Sequence, residues 1–136
     1  MIISTRGRYA LRVMIDIVQH NDSEYIPLKE IAERQEISEK YLESILKILV
    51  SNKLVEGVRG KNGGYRLSRD AEKITAWDVI SVTENELTVV SCLNPDSPAC
   101  DRAANCSTLP MWREFNKNLK NFFSNYTIED LATGKQ

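Results

Sequence analysis

The chain is short of the residues that build catalytic sites and disulfide frameworks, with one histidine, three cysteines and four prolines in 136 residues. With a single histidine, no paired nucleophile and base, and no phosphate-binding loop, little is left from which to assemble a catalytic site, so a binding protein is expected rather than an enzyme. An odd cysteine count argues against a secreted disulfide framework and fits a reducing cytoplasm, where thiols stay free to hold metal. No apolar run approaches the roughly 20 residues that a bilayer span needs. The first residues carry no apolar signal region, so neither membrane insertion nor export is expected. Charge of one sign is also missing, since the formal net charge is −1.

What is present is local. Residues 1–75 carry a small basic excess and residues 76–136 an acidic one. The basic side chains gather at Lys53, Arg59, Lys61, Arg66, Arg69 and Lys73. Screening confines charge effects to about 8–10 Å, so such a patch suffices for contact with phosphates whatever the overall balance.

The periodicity predicts a mainly α fold with a small β-hairpin. Ser4 or Thr5 caps a first helix to about His20, apolar over most of its circumference and therefore central. Pro27 opens a short helix, Leu28 to Arg34. After a turn, Ser38 caps a third helix, Glu39 to Ser51, with an inner face of Leu42, Ile45, Leu46 and Leu49. Two helices joined by so tight a turn make a helix-turn-helix, whose second helix enters the major groove of DNA. Leu54 to Val58 and Tyr65 to Leu67 read as strands around a glycine-rich turn, Arg59 to Gly64, which makes a wing. Thr75 begins a fourth helix to about Glu84, with Asp78 at the capping-box position. Ser107 is expected to cap a long helix to about Ser124 with Pro110 in its first turn, and Thr127 to start a short one, Ile128 to Ala132. Three parts follow: a winged helix-turn-helix over 1–84, a cysteine loop over 85–106, and a dimerisation helix with its short successor over 107–136.

On the third helix, Lys40 and Ser44 stand one turn apart on the outer face and donate to base edges or phosphates, and the Tyr41 hydroxyl reaches a phosphate. Glu43 accepts from a cytosine amino group or selects against wrong sites, unless it pairs with Lys40 or Lys47 along the helix. Arg59 suits a narrow minor groove. Arg6, Ser38 and Lys61 complete the candidate contacts with double-stranded DNA.

All three cysteines fall in the irregular segment, as Cys92, Cys100 and Cys106 with spacing C-x7-C-x5-C. A structureless stretch of this length in a small chain is uncommon unless functional, and a metal would order it. Structural zinc sites usually carry C-x2–4-C pairs; an iron–sulfur cluster, approached by thiolates from separated corners, suits wider spacing. Asp96, Asp101 and Ser107 are oxygen candidates for a fourth position. His20, at a helix end, is a weak one. Trp112, Phe115, Leu119, Phe122 and Tyr126 are spaced 3, 4, 3, 4 along the long helix. Such a seam packs either on this chain's first helix or, as a homodimer, on a second copy.

Together these features resemble a family of bacterial winged-helix regulators, which includes the iron–sulfur regulator IscR, the nitric oxide sensor NsrR and the cysteine-metabolism repressor CymR. The resemblance is carried by Ser4-Thr5-Arg6-Gly7-Arg8-Tyr9-Ala10, Ile37-Ser38-Glu39-Lys40-Tyr41-Leu42-Glu43, Val58-Arg59-Gly60-Lys61-Asn62-Gly63-Gly64-Tyr65, the cysteine loop, Trp112 and Thr127-Ile128-Glu129-Asp130-Leu131. It implies a homodimer on an imperfect palindrome, with base readout by Lys40, Glu43 and Ser44 and with Arg59 in the minor groove. It also implies an iron–sulfur cluster, two-iron or four-iron, on Cys92, Cys100 and Cys106. IscR-like members carry a histidine where this chain has Leu109, and NsrR-like members an acidic residue where it has Arg8. CymR-like members lack the cysteine triad. The leading expectation is a cytoplasmic repressor whose grip on its operator follows the cluster, and so iron–sulfur status, redox state or nitric oxide. A metal-free thiol switch and a zinc-stabilised adaptor are the alternatives.

Overall fold

A computed structural model describes residues 2–21 and 24–134. Among the described residues the main elements are six α-helices and one two-stranded hairpin: α1 (Thr5–Gln19), α2 (Leu28–Gln35), α3 (Glu39–Ser51), β1 (Val55–Val58), β2 (Gly64–Leu67), α4 (Ala76–Thr83), α5 (Leu109–Ser124) and α6 (Ile128–Thr133). The winged-helix architecture expected from the periodicity is thus realised.

Helix α1 is the centre. Ser4 caps it, its side chain accepting from the Gly7 N–H at 3.0 Å. Ala10, Val13, Met14 and Ile17, spaced to share one helix face, are buried. Ser38 caps α3 in the same way, and Leu42, Ile45, Leu46 and Leu49 close against that core. Each such residue, fully withdrawn from water, contributes roughly 1.5–3 kcal/mol. The turn between α2 and α3 passes through Glu36 in the left-handed region (φ 54°), and the Ile37 N–H returns to the Ala32 carbonyl at 3.1 Å. One charged group sits inside this frame. Asp16 is fully buried on α1, where Arg34 of α2 donates to both of its oxygens, at 3.0 and 2.8 Å, and Gln35 donates at 2.8 Å. This locks the first helix of the motif to α1.

The wing is antiparallel, with Val55 opposite Leu67 and Val58 opposite Gly64. It is not a free flap, because Tyr65 exchanges both backbone hydrogen bonds with Ile26, at 2.9 and 2.8 Å. Gly64 makes this approach possible: its φ is +147°, and a Cβ there would strike the Ile26 carbonyl.

Helices α4 and α6 begin alike, each with a full capping box, Thr75 with Asp78 and Thr127 with Asp130. The two starts are joined back to back, Ala76 N–H to Tyr126 carbonyl and Ile128 N–H to Ile74 carbonyl, both at 2.8 Å. Ile128 enters the core beside α1, so α6 returns the end of the chain to its beginning. Helix α5 packs against α4, and only Leu109 of it is buried. The sequence placed the cap of α5 at Ser107. The structure places it at Thr108, which makes no side-chain cap hydrogen bond, because its hydroxyl lies beside Cys106 instead.

Candidate functional site: an exposed helix-and-wing face and a cysteine cleft

Helix α3 turns Lys40, Glu43, Ser44 and Lys47 outward, opposite its buried stripe. Glu43 and Lys47 line a groove of about 630 Å³ that runs to the wing, where Val58, Arg59 and Gly60 form the far wall. Among the described residues Glu43 forms no ion pair, so the intrahelical pairing with Lys40 or Lys47 is not made. Its carboxylate is therefore free to accept from a ligand. Ser38 spends its hydroxyl on the Tyr41 N–H at 3.2 Å, and Ser44 donates to the Tyr41 carbonyl at 2.6 Å. Ser44 thus keeps its lone pairs for a further donor. Tyr41 is half-buried and rests edge-on against Tyr9, ring centroids 6.0 Å apart. Arg59 and Lys61 are exposed at the wing tip.

Arg6 is occupied otherwise. Its Nε donates to the Thr83 carbonyl at 2.8 Å and Nη2 to Asn85 Oδ1 at 3.2 Å, so it caps the C-terminus of α4. Opposite it, Glu84 accepts from the Ser4 N–H at 2.8 Å and the Ser4 hydroxyl at 3.0 Å. The start of α1 and the root of the cysteine segment are thereby joined. Gly7 permits this joint, since a Cβ there would meet the Glu84 carboxylate.

None of residues 85–106 is buried. The segment is held by short-range turns, such as Leu93 N–H to Val90 carbonyl and Ala103 N–H to Cys100 carbonyl, both 3.1 Å. Yet it folds back so that Cys92, Cys100 and Cys106, all free thiols, line one cleft of about 230 Å³. Leu93, Ala99, Ala103 and Leu109 supply its apolar wall, and Arg113 of α5 its one charge. Asp96, Asp101, Ser107 and His20 do not line it. His20 turns Nδ1 to the Asp16 carbonyl at 3.0 Å. Among the described residues no three His, Cys, Asp or Glu side chains are grouped to grip a metal ion. The Cys106 thiol is polarised by its surroundings. The Thr108 hydroxyl, 3.4 Å away, the N–H groups of Thr108 and Leu109 and the charge of Arg102 hold its pKa below the usual thiol value.

Comparison with known proteins decides the family. Residues 3–134 match the model of the Rrf2 family, described as an iron-dependent transcriptional regulator. This chain belongs to the Rrf2 family. As an Rrf2 protein it is a DNA-binding transcriptional regulator, and its relatives are regulators rather than enzymes. It is 35% identical to the HTH-type transcriptional regulator IscR of Pectobacterium atrosepticum, over 100% of this chain and 82% of that protein. Among solved structures it resembles CymR, the global cysteine regulator of B. subtilis (32% identity, TM-score 0.77, 100% of this chain and 99% of that one). It likewise resembles T. potens IscR (31% identity, TM-score 0.74, 100% and 89%). The family resemblance read from the sequence motifs is thereby established.

The apolar seam of α5 is left open. Phe115 and Phe122 are 49% and 55% exposed, with Met111 beside them at 53%, while Trp112, Leu119 and Tyr126 are half-buried. Among the described residues the main neighbour of α5 is α4, while α6 lies along α1. Sequence reasoning missed Arg113 and Thr108, which show no motif: each is an ordinary helix-start residue until the segment before it folds back.

Proposed function

We propose that this Rrf2 protein is a cytoplasmic homodimeric repressor whose affinity for an imperfect palindromic operator is modulated by an iron–sulfur cluster on Cys92, Cys100 and Cys106. The observation that carries the reading is the convergence of three free thiols on one cleft in a winged-helix regulator. Three soft donors in a roomy cleft fit such a cluster better than a single zinc ion, whose ligands must all close to about 2.0–2.3 Å. When bound, the cluster supplies a centre that oxidants, nitric oxide or loss of iron destroy.

The chain's own residues do the rest. Lys40 and Tyr41 of α3 donate to bases and phosphates, Ser44 accepts from a base amino group, Ser38 contacts the backbone, and Glu43 accepts from a cytosine amino group. Arg59 enters the minor groove and Lys61 meets its rim. Arg6 joins them by exchanging its bond to Asn85 for a phosphate. Two copies meet along Trp112, Phe115, Leu119, Phe122 and Tyr126, which covers the exposed rings and spaces the two recognition helices. With Cys92, Cys100 and Cys106 tied to one centre, the 85–106 segment would hold α5 relative to the Glu84 joint, and so α3 relative to its twin. Coupling of about 1–3 kcal/mol, or 5–150-fold in operator affinity, is the scale such linkage reaches.

The test is purification without oxygen, iron and sulfide assay, a visible spectrum, and operator titration before and after cluster removal. Visible absorption with matching iron and sulfide, and a changed operator affinity on removal, support the reading; a colourless, iron-free protein from a cluster-competent host counts against it.

A metal-free thiol switch is the second reading. The polarised Cys106 favours it, as does the likeness to Staphylococcus aureus CymR, solved in an oxidised form (32% identity, TM-score 0.73, 97% of this chain and 96% of that one). Peroxide treatment followed by mass spectrometry distinguishes it by a reversible loss of two hydrogens.

A further inference from the structure

We propose that Arg113 is the counter-charge of the cysteine cleft, a positioning residue that offsets the negative charge of a thiolate-bound cluster and sets how firmly it is held. The inference rests on the reading of Cys92, Cys100 and Cys106 as cluster ligands. Three observations carry it. Arg113 is the charged residue among those that line the three-thiol cleft. It stands one helical turn beyond Leu109, the buried residue of the same wall. It also forms no ion pair with any described residue, whereas Arg34, Arg66 and Arg69 each pair with a carboxylate.

Thiolates and sulfides give a cluster net negative charge, and its potential and retention follow the charge and hydrogen bonds around its sulfurs. A guanidinium at the wall favours the reduced, more negative state and disfavours release of iron. It also presents several donors in a fixed plane, which suits sulfur acceptors at two corners at once. A guanidinium that merely solvates the helix surface would do neither.

The experiment uses the full chain, reconstituted anaerobically with ferrous iron and sulfide. Wild type, Arg113→Gln, Arg113→Lys and Lys117→Gln are compared, the last removing an equal charge from an exposed position of α5 outside the cleft wall. Midpoint potential is read by optical redox titration, and retention by the rate at which a chelator bleaches the visible band. Arg113→Gln is expected to lower the midpoint and to speed bleaching roughly tenfold. Arg113→Lys should restore most of both, and Lys117→Gln should match wild type. Failure of Arg113→Gln to assemble a cluster, with normal circular dichroism and assembly by Arg113→Lys, supports the same role. Equal midpoints and bleaching rates in all four chains overturn the role of Arg113 and leave the cluster reading standing. No iron in any of the four overturns both.

Discussion

Replacing Arg34 by Met should destabilise the protein far more than replacing its partner, Asp16, by Asn. The two bonds between them are equivalent in length, 3.0 and 2.8 Å, but the two ends are not equally placed. The Asp16 side chain is wholly buried, whereas the Arg34 side chain is 31% exposed. Without Arg34 the carboxylate is stranded in the core with the Gln35 amide and the half-buried His20 ring near it. Losing one partner of a buried pair in this way costs about 3–5 kcal/mol. Without the Asp16 charge, the Asn oxygen keeps one of the Arg34 bonds while its NH2 displaces the other donor, which turns to water, so the loss is about 1–2 kcal/mol. With an unfolding entropy of about 2.1 cal/mol/K per residue, the first substitution lowers Tm by roughly 10–17 °C and the second by roughly 3–7 °C. Urea unfolding followed by far-ultraviolet circular dichroism reads the free energies, and calorimetry the midpoints. Equal losses, or a larger loss for Asp16→Asn, would refute the argument that asymmetric burial sets the cost. The double variant Asp16→Leu with Arg34→Met should recover stability relative to Arg34→Met alone.

Three further outcomes are expected. Arg59→Ala should weaken operator binding by about 1–3 kcal/mol, and Glu43→Ala should narrow the gap between cognate and variant operators, both read by fluorescence anisotropy at fixed salt. In the metal-free protein, Cys106 should be alkylated by iodoacetamide at a pH below that of the same thiol in the unfolded chain. The reason is that the Thr108 hydroxyl and the start of α5 favour the thiolate; Thr108→Val should move that midpoint up. Phe115→Glu combined with Phe122→Glu should yield a folded monomer in analytical ultracentrifugation, since both rings are exposed at 49% and 55% and carry little of the internal core.

Much of the reading domain was legible in the chain. Helix α3 begins after Ser38 and ends at Ser51 as its cap and stripe indicate, because a side-chain oxygen at the cap and an apolar repeat are local signals. The capping boxes at Thr75 and Thr127 were legible for the same reason. The family motifs of the wing were legible too, although Gly64 rather than Tyr65 opens the second strand. Arg6 has partners that were not legible: the folded chain brings Thr83 and Asn85 to it, residues nearly eighty positions away. The cap of α5 is Thr108 rather than Ser107, and its hydroxyl lies beside the Cys106 thiol instead of capping the helix.

By itself the sequence determined the helices, the hairpin and the gathering of three cysteines in one segment, since caps, periodicity and spacing act over a few residues. Tertiary structure alone decided that those cysteines share a cleft walled by α5, that Arg113 lines it too, and that Glu84 and Arg6 tie the segment's root to α1. It also decided that α6 covers α1 and leaves the α5 seam open. These are encounters between groups far apart in the chain, and their energy exists only once the core of α1, α3 and α4 has closed and fixed the distances between them.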